Sequence, residues 1–281
     1  MGFDSFLGNP RAVQTIRDML GRGRVPGSLL FTGPEGIGKK TLALMLAKAL
    51  NCEQRGSQGD DFCGECGRCR KADEFVAMGA EDLARRRDLK DAQKRTDGLV
   101  YLDLQLVEPI TRYILIEQIR QLRATAYTRP FTFSQRIMIV DQAQAIHWQA
   151  ADLLLKVLEE PPETTTIILI CPNAYELRPT IRSRCLTLQF APVEEAIIER
   201  VLEEERGLGK SDLALALRVA NGSIAAARTL DLKAYMDSDL MTYKVVWAAA
   251  GTPHAVFAIA PSDLQRVSSS LVIPVKPSLG A

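Results

Sequence analysis

The sequence predicts an α/β fold in which a parallel sheet carries helices on both faces. Three short apolar runs, at 28–32, 136–140 and 165–170, are typical of strands that are buried on both faces, as the strands of parallel sheets are. Helical segments alternate with these runs along the chain. This alternation favours a parallel sheet with crossover helices.

The first part of the chain supplies one strand and the two helices around it. Residues 12–20 place apolar side chains at helical spacing, and 28–32 form the first predicted strand. A glycine-rich segment, 33–38, joins this strand to a long helix predicted at 39–50. Residues 51–70 are polar and rich in glycine and cysteine, which indicates a loop.

Charged and helical segments fill the remainder. Residues 71–97 are highly charged. Their basic side chains, expected on a solvated helix face rather than in a DNA groove, are Arg85, Arg86, Arg87, Lys90, Lys94 and Arg95. Helices are predicted at 114–122 and 150–160, and a proline pair ends the second. Beyond Pro192, helices are predicted at 194–205 and 212–219, and no strand signal is strong.

Composition excludes several classes of protein. The chain has 281 residues and a net charge of +1, which argues against a polycation that coats nucleic acid by charge alone. No apolar run approaches the roughly 20 residues of a membrane helix, and the N-terminus lacks a secretory signal. We therefore predict a cytoplasmic protein without a membrane partner. Six cysteines in a reducing compartment favour metal binding over disulfides.

The segment after the first strand has the pattern of a phosphate-binding loop. Gly33, Gly36 and Gly38 precede Lys39 at the start of a helix, where backbone N–H groups and the helix dipole attract anions. Lys39 would reach the terminal phosphates. The position that needs Ser or Thr for Mg²⁺ holds Lys40, and Thr41 follows one residue late, a rotation of about 100° on a helix. We predict phosphate binding without a competent Mg²⁺ site.

The strand 136–140 ends in an acidic residue. In P-loop proteins that hydrolyse nucleotides, an Asp in the place of Asp141 helps to hold the metal. The next residue, Gln142, is neutral and a poor base. Together, the candidate nucleotide-binding residues are Gly33, Gly36, Gly38, Lys39, Lys40, Thr41 and Asp141.

Four cysteines form the spacing C-x10-C-x2-C-x2-C in the polar loop after the second helix: Cys52, Cys63, Cys66 and Cys69. Soft thiolates that converge on a loop fit a closed tetrahedral Zn²⁺ site. Clustered thiols without metal are the alternative. Cys171 and Cys185 lie near strands and are expected to be packed thiols.

Two further motifs complete a family pattern. Residues 155–162 are Leu-Lys-Val-Leu-Glu-Glu-Pro-Pro, and residues 183–185 are Ser-Arg-Cys. In this order, and with the cysteine insert after the loop helix, the sequence resembles the bacterial DNA polymerase III clamp loader, a branch of the AAA+ ATPases. The resemblance covers roughly residues 5–230.

The resemblance implies three domains. They are an AAA+ nucleotide-fold domain at 1–190 with a zinc module at about 51–71, a helical lid at 191–231, and a C-terminal helical collar region at 232–281. Only about fifty residues remain for the collar, and the end of the chain has two prolines and no helical stripe. We therefore hypothesise a truncated or frame-shifted C-terminus that impairs assembly.

The family contains gamma/tau motor subunits and a delta-prime stator, and departures from the motor pattern favour the stator. The four altered positions are Lys40, Gln142, Cys171-Pro172 and Ala225. The arginine of Ser-Arg-Cys, Arg184, is intact. By resemblance, Arg184 acts as a finger on the ATP of a neighbouring subunit, and the chain catalyses no reaction in cis.

The implied complex contains gamma/tau and delta subunits, the sliding clamp and, through the complex, primer–template DNA. Implied cofactors are Zn²⁺ and, where the loop binds it, ATP. Two rival interpretations stay open. An active motor ATPase would use Lys39 and Asp141, and a zinc-dependent nucleic-acid binding module would bind DNA in a salt-sensitive way.

Overall fold

Five parallel strands form the main sheet of the computed structural model, which describes residues 2–56, 59–90, 94–96, 102–207, 210–229, 235–249, 256–268 and 270–273. The strands are β1 (Ser28–Thr32), β2 (Leu104–Val107), β3 (Arg136–Val140), β4 (Thr165–Cys171) and β5 (Leu186–Gln189). Their spatial order is β2-β3-β4-β1-β5, and neighbouring strands run parallel. The predicted parallel sheet is confirmed.

Helices cover both faces of this sheet, as predicted. One face carries α1 (Pro10–Gly21), α2 (Lys39–Asn51) and α3 (Gly67–Asp88). The other carries α4 (Ile116–Ala126), α5 (Trp148–Glu159) and α6 (Pro179–Arg182). Alternate strand residues point to opposite faces, so Phe31 packs in the first core cluster and Leu30 in the second.

The charged segment after residue 70 forms most of α3, a helix of 22 residues. Arg85 is exposed, in agreement with a solvated face, but the expectation is wrong for Arg86, which is 2% exposed. Arg86 Nε donates to Asp82 Oδ2 at 2.6 Å, and its Nη1 donates to the carbonyl of Arg95 at 3.0 Å. Burial is tolerated here because these acceptors satisfy the guanidinium.

Three helices follow the sheet: α7 (Glu195–Arg206), α8 (Lys210–Ala220) and α9 (Ile224–Thr229). Ile198, Leu202, Ala216 and Ala227 are buried among them and extend the first core cluster. These helices agree with the helical character predicted beyond Pro192.

The C-terminal region departs from the prediction of a helical collar. Its described part contains α10 (Pro261–Ser268) and four short strands: β6 (Tyr235–Asp237), β7 (Val246–Ala249), β8 (Val256–Ile259) and β9 (Leu271–Ile273). β6 pairs with β9, and β7 pairs with β8. Valine, isoleucine and aromatic residues in these runs favour strands over helix. The last residues, 274–281, lie outside the described part.

Because its strands run parallel, the sheet has a carboxyl edge and an amino edge, formed by the two ends of the strands. The carboxyl ends of β1, β3 and β4 lie along one edge, and the amino ends of β4 and β5 lie along the opposite one.

Among the described helices, none is both long enough and apolar enough to cross a membrane.

Candidate functional site

A glycine-rich loop connects the carboxyl end of β1 to the first turn of α2. Gly33, Gly36 and Gly38 have φ angles of 143°, 72° and 97°, a region that favours glycine. A Cβ on Gly33 would lie 2.3 Å from the Phe190 carbonyl oxygen, so this approach of loop to strand end requires glycine. The loop places the N-terminus of α2, with its positive dipole end, at the carboxyl edge of the sheet.

Lys39 is folded into the loop and is 6% exposed. Its Nζ donates to the carbonyl oxygens of Gly33 and Pro34, each at 2.5 Å. Burial lowers the pKa of the Lys39 ammonium, and the charge of Asp141 partly offsets that effect. Lys39, the side chain predicted to bind phosphate, therefore lies within the loop. Its ammonium is bound to two carbonyl oxygens, and a phosphate would have to replace them.

Lys40 lies between two carboxylates at the carboxyl edge. Its Nζ donates a hydrogen bond to Glu108 Oε1 and lies 3.7 Å from Asp141 Oδ2. Glu108 follows β2, Asp141 follows β3, and Lys40 stands in the first turn of α2. Burial raises the pKa of the Asp141 carboxyl, while the neighbouring Lys40 opposes the rise. An ammonium thus occupies the acidic corner in which a hydrolytic site would hold a divalent cation.

A cavity of about 760 Å³ opens in front of the loop. Phe6 and Leu7 form part of its apolar wall, and Lys39, Lys40 and Asp141 form part of its polar wall. Thr41 also lines it and is exposed. A cavity with an apolar side and a cationic loop can accommodate a base together with a phosphate chain.

The helices after the sheet close the cavity from the side of Ala225. The Ala225 N–H donates to the Gly36 carbonyl at 3.2 Å, and Ala225 lines the cavity where motor subunits are expected to place an arginine. Arg228, three residues later, also lines the cavity and pairs with Glu205, with Nη2 at 2.5 Å from Oε1. Helical spacing from Ala225 could have pointed to Arg228.

Arg184 lies at the opposite edge of the sheet, in the turn between α6 and β5. Its Nε donates to Glu159 Oε1 at 2.6 Å, and its Nη1 donates to the Thr180 carbonyl at 2.7 Å. At about 3.3 Å per residue, a five-residue strand such as β1 separates the two edges by roughly 13 Å. Arg184 and the glycine-rich loop therefore do not form one site within the chain.

The structure brings the four predicted cysteine ligands together. The sulfur atoms of Cys52, Cys63, Cys66 and Cys69 all lie within 4.8 Å of one another. Cys52 Sγ is 3.6 Å from Cys63 Sγ and 3.9 Å from Cys66 Sγ. With Zn–S bonds of about 2.3 Å, tetrahedral geometry puts sulfurs about 3.8 Å apart. The donor set fits Zn²⁺, and the four thiols would hold it.

The thiols of this cluster differ in acidity. Burial alone would raise the pKa of Cys66, but hydrogen bonds from the backbone and from neighbouring thiols outweigh it and lower the pKa to about 6. Burial raises the pKa of Cys52 and Cys69. Outside the cluster, burial raises the pKa of Cys171, and that of Cys185 to about 12. These last two are buried or half-buried thiols, in agreement with the packing role predicted for them.

The cysteine loop also holds the N-terminal segment through Asp61. Asp61 Oδ1 accepts the N–H of Phe3 at 2.9 Å, and Asp61 Oδ2 accepts Arg17 Nη2 at 3.1 Å. The rings of Phe3 and Phe62 meet edge to face with centroids 5.4 Å apart. The segment held in this way includes Phe6, which lines the cavity.

Three side chains beside the candidate site residues were not singled out from the sequence: Glu108, Glu159 and Arg228. Glu108 follows β2, a four-residue strand that was not predicted, and therefore had no assigned position. Glu159 was read only as part of the Leu-Glu-Glu-Pro-Pro motif. Each of the three is a partner or neighbour of a residue that the sequence did single out.

Comparison with known proteins identifies a family and several relatives. The model of a family described as "DNA polymerase III, delta subunit" matches residues 8–194. The chain is 28% identical over 259 residues to DNA polymerase III subunit tau of Escherichia coli K12, covering 89% of this chain and 36% of that protein. It is 29% identical over 197 residues to DNA polymerase III subunit delta' of Bacillus subtilis 168, covering 70% and 52%.

A solved structure with a similar fold is that of a DNA polymerase III gamma subunit-related protein from Thermotoga maritima. Its sequence identity is 17%, its TM-score is 0.46, and the match covers 77% of this chain and 57% of that one. The chain spans between about a third and a half of the length of the two curated relatives above.

Proposed function

The chain belongs to the DNA polymerase III, delta subunit family of clamp-loader AAA+ proteins, and on this premise we propose that it is the non-hydrolysing, delta-prime type of subunit. In this role it supplies Arg184 to ATP bound by a neighbouring gamma/tau subunit. It thereby helps the complex to load the sliding clamp on primed DNA during replication.

The observation that carries the proposal is the ammonium of Lys40 between Glu108 and Asp141. Hydrolysis of a nucleoside triphosphate needs a divalent cation that bridges the β- and γ-phosphates. It also needs a group that orients the attacking water, and Gln142 follows Asp141 where a carboxylate would serve as base. A cationic side chain at the metal position and a neutral amide beside it both favour a subunit that does not hydrolyse.

The position of Arg184 supports action in trans. Arg184 lies at the amino edge of the sheet, opposite the chain's own glycine-rich loop, and is not among the residues that line the cavity. An arginine supplied from outside stabilises charge on the γ-phosphate and is worth about 10³–10⁵ in rate. Its planar fork can contact two oxygens, which lysine cannot copy. To do so, Arg184 would exchange Glu159 for phosphate oxygens.

The proposed partners follow from the relatives, which are named as subunits of DNA polymerase III. They are gamma/tau and delta subunits, with the sliding clamp and primer–template DNA reached through the complex. Zn²⁺ held by the four cysteines would stabilise the loop between α2 and α3 and supply no chemistry to the nucleotide.

A motor ATPase of the gamma/tau type is the second candidate. The glycine-rich loop, Lys39, Asp141 and a cavity of about 760 Å³ favour it, because a motor requires these features. The two candidate functions differ in the residue that ATP hydrolysis by the complex requires: Lys39 for the motor and Arg184 for the stator.

ATP hydrolysis by the reconstituted complex, stimulated by clamp and primed DNA, separates the two functions. We expect Arg184→Ala to lower turnover by up to about 10³-fold at the site it serves, and Arg184→Lys to restore little of it. Lys39→Ala should leave turnover nearly unchanged. Arg178→Ala is the matched control, since Arg178 is also a surface arginine with one carboxylate partner, Asp152. A damaging Lys39→Ala with a harmless Arg184→Ala would establish a motor.

A further inference from the structure

The corner of the cavity in which Lys40 lies between Glu108 and Asp141 points to a mode of nucleotide binding that needs no metal. We propose that the loop binds the phosphate chain of a nucleoside di- or triphosphate without a divalent cation, with the Lys40 ammonium as a fixed cation in its place. The inference rests on the proposed function in one respect, because a subunit that hydrolyses its nucleotide would require the metal.

The first step is the geometry of the corner. Lys40 Nζ contacts Glu108 Oε1 and lies 3.7 Å from Asp141 Oδ2, so one ammonium is shared by two carboxylates from different strands. Glu108 is further neutralised by Arg87, whose Nη2 lies 3.4 Å from Oε2. The side chains of Glu108 and Asp141 are 12% and 20% exposed, so water screens these charges only in part.

The second step is the competition between Lys40 and a metal. Mg²⁺ demands oxygen ligands at about 2.0–2.1 Å in octahedral geometry, usually with carboxylates and substrate phosphates among them. Both carboxylates at the corner already face cations: Glu108 pairs with Lys40 and Arg87, and Asp141 lies 3.7 Å from Lys40 Nζ. A divalent ion at Asp141 would also lie close to the ammonium, and like charges at that distance repel. Metal binding would require Lys40 to leave.

The third step concerns the groups around the cavity that can bind a phosphate chain and a base. Lys39 and Lys40 stand next to each other at the N-terminus of α2, where the helix dipole also favours anions. Arg228 lines the same cavity at its lid side, where it pairs with Glu205 and would exchange that carboxylate for a phosphate. Phe6 and Leu7 offer an apolar surface for a base. The cavity therefore has cationic and apolar groups in the places that a nucleotide needs, and the cation requirement is met by the chain itself.

Binding of ADP and of ATP to the purified chain, measured by calorimetry in Mg²⁺ and in EDTA, tests the inference. We expect the dissociation constant in EDTA to be lower than that in Mg²⁺ or equal to it within about threefold. Lys40→Thr restores the hydroxyl of a metal-binding loop and should make binding at least about tenfold tighter in Mg²⁺ than in EDTA. Lys48→Thr, on the same helix but paired with Asp73, should behave as the wild type does.

Two results would overturn the inference: binding by the wild type that requires Mg²⁺, or no binding of either nucleotide. The wild-type comparison needs no variant, so it decides the question even if Lys40→Thr does not fold. Binding that requires Mg²⁺ would also remove the argument from Lys40 for a subunit that does not hydrolyse. The stator role itself is decided separately, by turnover of the complex with Arg184→Ala. A metal-free nucleotide site with a harmless Arg184→Ala would instead overturn the stator role alone.

Discussion

Glu159, the last residue of α5, binds the Arg184 guanidinium at the amino edge of the sheet, with Arg184 Nε 2.6 Å from Glu159 Oε1. The Thr180 carbonyl accepts a further hydrogen bond from Arg184 Nη1 at 2.7 Å. Both partners orient the guanidinium, but the two side chains remain 30% and 46% exposed. The guanidinium is therefore well oriented by hydrogen bonds, and its exposure allows it to exchange Glu159 for another anion.

Arg184→Ala should leave the chain folded with little loss of stability. An ion pair between partly exposed side chains contributes about 0–1 kcal/mol, since water screens it. We expect urea denaturation to give a free energy of unfolding within about 1 kcal/mol of the wild type. Glu159→Gln, which keeps the shape and removes the charge, should give a similar result. A loss above about 2 kcal/mol would mean that Arg184 is a structural residue, and the finger assignment would lose its support.

Adjacent arginines of α3 should differ sharply in their contribution to stability. Arg86 is buried, and its removal would leave Asp82 and the Arg95 carbonyl without this donor. We expect Arg86→Ala to lower the free energy of unfolding by roughly 2 kcal/mol or more. Arg85→Ala is the matched control, because Arg85 pairs with the same Asp82 from an exposed position and should cost less than about 1 kcal/mol. Equal effects in urea denaturation would contradict the burial of Arg86.

The elements that were predictable are those whose residues are uniform in character. β1, β3 and β4 are buried along their whole length and therefore appear in the sequence as continuous apolar runs. The glycine-rich loop and the four cysteines were predictable because their chemistry restricts the residue types and spacing. β2 and β5 are the two outermost strands of the sheet. Their partial exposure allows polar residues, which weakens the apolar pattern in the sequence.

The ion pairs that define the site were not predictable in the same way. Glu108 and Lys40 are 68 residues apart in sequence, and only the sheet order places them together. The lysine was recognised as a departure from a metal-binding loop, but its partner was not. In the C-terminal region, a helical collar was expected from the family resemblance alone, whereas the described residues include the paired strands β7 and β8.

Acid should destabilise the protein in part through Asp103. Burial alone would raise the pKa of this carboxyl, but the N–H groups of Phe131, Thr132 and Phe133, together with Arg136, outweigh burial and lower the pKa. The stabilisation is present above the unfolded pKa of about 3.9 and is lost as pH falls through the lower folded value. We expect the free energy of unfolding to decline as pH falls from about 5 toward 2.

The matched variants for this pH dependence are Asp103→Asn and Asp73→Asn. Asp103→Asn should lower stability at neutral pH by about 3 kcal/mol, because Arg136 would lose its buried carboxylate partner, and should flatten the decline in acid. Asp73 is 62% exposed and pairs with Lys48, so Asp73→Asn should change little. Denaturation curves at several pH values measure both. An unchanged acid slope in Asp103→Asn would assign the acid sensitivity to other carboxyls.

Zinc should bind in a ratio of one ion per chain, and its removal should loosen the N-terminal segment. Cys66→Ser removes one of the four thiols and should abolish bound zinc, as measured by elemental analysis of the purified chain. Cys185→Ser is the matched control, because its thiol lies outside the cluster and should leave the zinc content unchanged. Since Asp61 lies in the same loop and binds the Phe3 N–H, loss of the metal should also increase amide hydrogen exchange at Phe3. Full zinc content in Cys66→Ser would contradict the four-thiolate site, whereas zinc loss without faster exchange would show that the N-terminal segment is held independently of the metal.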